Sequence, residues 1–247
     1  MEQNVHRVSV EVGGTEIEFE TGRLARQASG AVLVKAGDTH VLATATAGND
    51  RDVDFLPLTV DVEERSYAAG KIPGSFFRRE GRSGEKATLT ARMIDRPLRP
   101  LFPKGWSRET QLVAIPISVD HIHPYDILAM NGASAALMIS EIPVPVPVGA
   151  VRIGQDEDGD FVVNPEEELL EDARLDLVVA GTEEAILMVE AGAKEVSEAE
   201  ILDALDIAHS AIKDLCKAQR ELREKAGKPK IEITPPQVDE GMLNEIR

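Results

Sequence analysis

The sequence predicts an α+β fold, and three observations carry that expectation. Residues 5–62 are dominated by short runs of alternating apolar and polar residues broken at glycine turns, the pattern of antiparallel strands. Two helix-compatible segments follow, at 85–98 and 126–140, separated by a strand-like apolar run. The same order then recurs beyond the Pro-Val run IPVPVPVGA (142–150), where strands precede one long helical pattern. Strands grouped ahead of helices within each unit point to segregated layers rather than a regular β-α alternation.

Taken in order, VHRVSVEV and TEIEFE flank Gly13-Gly14 and read as a hairpin. AVLVKAG and GDTHVLATATAG give a second pair, turning at Gly37-Asp38. FLPLTVDVEE supplies a fifth strand, rich in β-branched residues. From Arg65 to Ser83 the pattern dissolves into Gly, Pro, Ser and Arg, which indicates a long loop of the kind that carries function or stays unstructured. The helix expected at 85–98 is punctuated by Pro97, Pro100 and Pro103. QLVAIPISVD reads as a buried strand. DILAMNGASAALMIS reads as a central helix, small enough along its length to lie close to a sheet, with Asp126 placed to cap it. In the second unit, strands are expected at 148–153 and 161–163 and as a pair within LDLVVAGTEEAILMVEAGA. DEDGD forms a turn, and the acidic stretch 156–172 a solvated surface. Ser197 and Glu200 have capping-box spacing ahead of Ile201, Leu205, Ala208, Ile212, Leu215 and Leu222, and Gly227 and Pro229 end that helix. KIEITPPQ reads as a linker, and EGMLNEIR as the start of another helix.

The composition, 43% hydrophobic and 29% charged, is that of a soluble globular protein. No stretch has the apolar length of a membrane span, and the N-terminus lacks a signal-peptide run. The single cysteine, Cys216, excludes an internal disulfide and fits a reducing compartment, so a cytoplasmic location is expected. A net charge of −17 argues at first against a polyanionic partner. The charges are segregated, however. Residues 65–108 hold eleven Lys/Arg against three acids, whereas residues 155–206 hold eighteen acids against two bases. An acidic body can focus a polyanion onto one basic stretch; charge alone leaves open whether those arginines are surface groups or internal ion pairs.

The run YAAGKIPGSFFRREGR followed by LTARMIDRPLRPLFPKGW makes the reading specific. It resembles the first RNase PH-like core of the bacterial polynucleotide phosphorylase family. FLPLTVDVEERSYAAG, DILAMNGASAALMISEIP and LDLVVAGTEEAILMVEA are similar to the same family in the same order. The resemblance implies mixed β-sheets packed with helices around ribosomal-protein-like βαβ folding. It assigns 1–145 to the N-terminal part of that core, 146–212 to its C-terminal part, and 213–247 to the start of an all-helical linker domain. It further implies 3′-to-5′ phosphorolysis of RNA, in which inorganic phosphate releases nucleoside diphosphates reversibly. The family forms a homotrimeric ring around single-stranded RNA and can join an RNA helicase or endoribonuclease in an RNA-degrading complex.

Within that frame, Phe76, Phe77, Arg78 and Arg79 match the family's channel loop. Aromatic faces stack on any base, and guanidiniums pair with phosphates without reading sequence. The residues alone also allow the opposite arrangement, with both rings anchoring the loop in the core. Arg92, Arg96 and Arg99, spaced by four and three, are expected on one helical face, directed at RNA phosphates near a partner core's active site; Asp95 could instead pair with Arg92 or Arg99. The catalytic constellation is degraded. Where a catalytic core carries a serine-rich phosphate loop, this chain has His123-Pro124-Tyr125-Asp126. Leu170 and Val178 replace an aspartate and a lysine, leaving Asp176 without partners. No catalytic residue and no metal ligand is therefore assigned here, and Mg²⁺ is expected in the second core of the full-length enzyme. His121 and His123 lack a further convincing ligand. Two other functions compete: a free-standing, non-catalytic RNA-binding scaffold like the inactive subunits of exosome rings, and a complete tRNA-trimming enzyme, which the missing serine loop and lysine disfavour.

Overall fold

The computed structural model describes residues 4–74, 76–156 and 159–233. Strand β1 (His6–Val12) pairs with β2 (Thr15–Thr21) through the Gly13-Gly14 turn. Both glycines adopt positive φ, +61° and +78°. A side chain at Gly13 would fall 2.2 Å from the Val163 carbonyl oxygen, so that turn needs glycine for space as well as for dihedral freedom. β3 (Gly30–Ala36) and β4 (Thr39–Asp50) continue the meander. β5 (Leu58–Val62) lies parallel to β6 (Arg108–Ser118), with the long loop and helix α1 (Glu85–Leu98) forming the crossover between them. The resulting six-stranded sheet has the order β1-β2-β3-β4-β6-β5.

The second sheet, β10-β9-β7-β8, is antiparallel throughout. It consists of β7 (Gly149–Gln155), β8 (Phe161–Val163), β9 (Leu175–Gly181) and β10 (Ile186–Ala193). Helix α2 (Tyr125–Ile139) is buried along all fifteen residues and packs on β3, β4, β6 and β7, the central position its small residues predict. A Cβ on Gly132 would meet Ala43 Cβ at 2.9 Å, which is how closely helix and sheet approach. Between β8 and β9 lies a short helix, α3 (Glu167–Asp172), where the sequence suggests only acidic surface. Leu169, in this helix, reaches the spot where a side chain on Gly154 would sit.

Helix α4 (Glu198–Ala226) starts at the expected capping box, with Ser197 Oγ accepting from the Glu200 amide and Glu200 accepting from the Ser197 amide. It crosses residue 213 without interruption. Leu215, Cys216, Gln219 and Leu222 are buried against the same core as Ala208 and Ile212. Burial pushes the Cys216 thiol up to about 12, which leaves it uncharged and inert. Beyond the helix, residues 228–231 are bonded to the body. The Lys228 amide donates to Ile139 O, and Lys230 Nζ donates to the carbonyls of Leu137, Met138 and Ser140 at 2.8–3.1 Å. An ammonium at the C-terminal end of α2 satisfies carbonyls that have no partner within the helix and complements its dipole. The helix expected over EGMLNEIR lies outside the described residues.

One buried polar cluster joins the two halves. The Asn131 amide donates to Ala150 O (2.8 Å) and accepts from Ala150 N (3.0 Å), so a side chain of α2 pairs with β7 as a neighbouring strand would. Ser134 Oγ accepts from Val148 N and donates to Gln219, whose own amide donates to Val148 O. All three side chains are fully or almost fully buried. Replacing Asn131 with leucine strands the buried N–H and C=O of Ala150. This change should lower the unfolding free energy by about 2–4 kcal/mol, measured by urea denaturation. A loss below about 0.5 kcal/mol would mean the cluster does not hold the halves together.

Candidate nucleic-acid interface

The loop between β5 and α1 leaves the body at a 3-10 turn, Ser66–Ala69, closed by Gly70 in the left-handed region (φ 66°). Its aromatic residues are not anchored in the core. Phe76 is 95% exposed and Phe77 78% exposed, their rings in contact edge to face with centroids 5.4 Å apart. Exposing two phenyl rings to water is unfavourable, and among the described residues they are the two most exposed large hydrophobic side chains. Arg78 holds a positive φ of 48°, uncommon for a residue with a side chain. Arg78 and Arg79 are exposed, and among the described residues neither pairs with a carboxylate. Beside them a cleft of about 590 Å³ is lined by Ser66, Pro73, Gly74, Phe77, Arg79, Glu80 and Gly81.

The three arginines expected on one face of α1 part company. Arg92 and Arg96 line a hollow of about 510 Å³ together with Arg152, Asp176 and Glu190. Arg96 forms an ion pair with Glu190. Arg99 lies past the end of α1, in a 3-10 turn. There it grips Asp95 bidentately, at 2.9 and 2.7 Å, and donates to Leu56 O and Leu58 O. Spacing alone could not reveal this, because the α-helical period ends at Leu98. Arg99 ties the helix end to the entry of β5, the structural use that Asp95 made possible.

The N-terminus of α2 is closed by its own side chains. Pro124 occupies the cap position, and Asp126 does not cap the helix. Asp126 is the second residue of the helix, in its first turn, buried, with Oδ1 accepting from the adjacent Ile127 amide and Oδ2 held 2.7 Å from Arg152. Tyr125 donates its hydroxyl to Glu64 (2.6 Å), and burial and that carboxylate raise its pKa. Just upstream, Asp120 accepts from the amides of Ile122 and His123, from Thr39 Oγ1 and from the His123 ring, bonds that hold its carboxyl well below the usual range. His123 is thereby a partner of Asp120 in fastening the β3–β4 turn to α2. Among the described residues, no group of three or more His, Cys, Asp or Glu converges as a metal site.

Asp176, on β9, faces the hollow. Its Oδ1 is buried without a hydrogen bond, 3.5 Å from Arg152 Nε. A divalent cation needs several oxygen ligands, and here the guanidinium of Arg152 already stands beside both Asp176 and Asp126. Leu170 lies on α3, and Val178 is buried in β9. The donor set does not fit Mg²⁺.

Residues 14–143 match the model of the 3′ exoribonuclease family, domain 1, and residues 146–211 match domain 2 of that family. The chain belongs to the 3′ exoribonuclease family. It is 55% identical over 248 residues to the polyribonucleotide nucleotidyltransferase of Herpetosiphon aurantiacus, which covers all of this chain and 32% of that protein. The enzyme of the same name from Halothermothrix orenii is 52% identical, over 97% of the chain and 34% of the relative. That from Thermus thermophilus is 53% identical, over 94% and 32%. The chain thus spans about a third of the length of the curated relatives it matches. Among solved structures, rice (Oryza sativa) Rrp46 aligns with a TM-score of 0.64 at 16% identity, over 90% of this chain and 98% of that one, a similarity of fold. No helix among the described residues is long and apolar enough to cross a membrane.

Burial, opposed by Arg152 and reinforced by Asp126, raises the pKa of Asp176. The folded protein therefore binds that proton more tightly than the unfolded chain does, and stability falls as pH rises through the carboxylate range. Asp176→Asn should be at least as stable as the parent at neutral pH and should lack this dependence, measured as thermal unfolding midpoints across pH 3–7. A marked loss of stability would show that the carboxylate is held by a favourable partner.

Proposed function

We propose that this chain is the RNA-gripping core of a 3′-to-5′ phosphorolytic exoribonuclease, one that is itself catalytically silent. In the reaction, inorganic phosphate attacks the phosphorus of the 3′-terminal phosphodiester, and the bond from that phosphorus to the 3′-oxygen of the preceding residue breaks. The products are a nucleoside diphosphate and an RNA one residue shorter with a free 3′-hydroxyl. The names of the relatives support this reaction class, and the two family matches support the assignment to a first RNase PH-like core. The observation that carries the gripping role is the loop. Two exposed phenyl rings stand beside two arginines that have no carboxylate partner among the described residues, on a segment whose glycines Gly70, Gly74 and Gly81 have no neighbouring atom within 4 Å of an added Cβ. Rings of this kind stack on unpaired bases at roughly 1–3 kcal/mol each, regardless of sequence.

Catalytic silence rests on the closed N-terminus of α2. A phosphate brought there would meet the buried Asp126 carboxylate, and the position before the helix is a proline without an amide donor. Chemistry then belongs to a second core, which would supply the Mg²⁺ site, with this core contributing Arg92 and Arg96 as electrostatic partners and ring contacts in a homotrimer. The native assembly would work in the cytoplasm, with an RNA helicase or endoribonuclease as its neighbours in an RNA-degrading complex.

Substituting both Arg78 and Arg79 with alanine, in the protein at its full native length, tests the grip. Binding of single-stranded RNA should weaken, and the slope of log K against log salt should flatten by about 1.4, the loss of two phosphate contacts. An unchanged slope would mean that these arginines do not touch the RNA backbone. Binding without any phosphate-dependent release of nucleoside diphosphates by the full native protein would favour the free-standing scaffold.

A further inference from the structure

We propose that Glu80 is a positioning residue of the gripping loop, a buckle that ties its two ends together so that Phe76–Arg79 project in a fixed direction. The proposal rests on the gripping role given above and adds what holds the grip in place.

The entry side of the loop is fixed to the body: Ala68 O accepts from Val119 N at 3.0 Å, and Lys71 N donates to Ser66 O at 2.9 Å. After Lys71 the described residues up to Arg79 make no hydrogen bond to the rest of the molecule. The first tie on the far side is Glu80. Its carboxylate accepts from the Ser66 amide through Oε1 at 2.8 Å and from the Ser66 hydroxyl through Oε2 at 3.2 Å. Ser83 Oγ then donates to Val62 O at 3.4 Å, and the chain enters α1. Ser66 and Glu80 are fourteen positions apart, and the bidentate contact closes the segment between them into one loop. Closing the ends in advance removes conformational freedom that RNA binding would otherwise have to remove.

Electrostatics alone would assign Glu80 the opposite effect. It is the single acid between Arg65 and Gly84, among Arg65, Lys71, Arg78, Arg79 and Arg82. A carboxylate beside a phosphate-binding pair repels the RNA backbone. If Glu80 did nothing but carry charge, removing it would strengthen binding. If it is a buckle, removing it weakens binding although a repulsive charge has gone. The two accounts differ in sign.

Two variants in the full-length protein separate them. Glu80→Ala loses both contacts. Glu80→Gln loses the charge but keeps an oxygen for the Ser66 amide and gains an N–H for the Ser66 hydroxyl. The expected result is that E80A binds single-stranded RNA about fivefold more weakly than the parent, the worth of one ordinary hydrogen bond. E80Q should bind at least as tightly as the parent, and E80A should retain the parent salt slope. In the protein without RNA, trypsin should cut after Arg78 or Arg79 faster in E80A than in the parent or E80Q, with the unfolding midpoint unchanged. Tighter or unaltered RNA binding by E80A, an E80Q as weak as E80A, or equal trypsin rates in all three would overturn the assignment. If the Arg78/Arg79 double variant binds RNA like the parent, the gripping role itself fails. If it weakens while E80A does not, only the buckle fails.

Discussion

The fold depends on a side-chain amide behaving as a piece of β-strand. Asn131, midway along α2, offers a donor and an acceptor to Ala150 of β7 at 2.8 and 3.0 Å, and Ser134 and Gln219 do the same for Val148. These contacts lie where β7 has no neighbouring strand on that side, so without them backbone groups inside the core would be unpaired. They also cross the boundary between the two family segments, 14–143 and 146–211, and Gln219 brings in α4 from beyond the second. Two sheets, each closed on one face by helix, become one body because α2 and α4 are fixed to the same strand.

That rigidity is what allows an unfavourable feature to persist elsewhere. Two phenylalanines and two arginines, exposed together, contribute nothing evident to stability. They stay displayed because the loop begins at β5 and ends at α1, and Arg99 locks the far end of α1 to the start of β5 through Asp95 and two carbonyls. Charge follows the same division. Residues 65–108, nearly all of them in the crossover from β5 to β6, hold eleven Lys/Arg against three acids, whereas residues 155–206 hold eighteen acids against two bases, a distribution that directs a polyanion to one place.

Much of this was legible in the residues. Gly13-Gly14 announced the first hairpin, the Ser197/Glu200 spacing announced α4, and the paired aromatics beside arginines marked the loop. What escaped were contacts between positions distant in sequence. Asn131 and Gln219 lie within helices, where a polar residue ordinarily signals a solvent face, and nothing local says that a strand end waits opposite. Asp126 had the chemistry of a cap, but the helix begins at Tyr125, and the carboxylate is drawn inward to Arg152, 26 residues away. Lys230 sits in a segment that reads as linker, yet its ammonium completes the end of α2, 90 or more residues earlier.

The proposed grip requires RNA to meet the loop Phe76–Arg79 itself and not only the hollow of Arg92, Arg96, Arg152 and Asp176. Photocross-linking single-stranded RNA containing 4-thiouridine to the native protein, followed by mass spectrometry of the peptides, reads this directly. Adducts should fall on Phe76 or Phe77. Adducts confined to the hollow of Arg92, Arg96, Arg152 and Asp176, with none on the loop, would contradict the account.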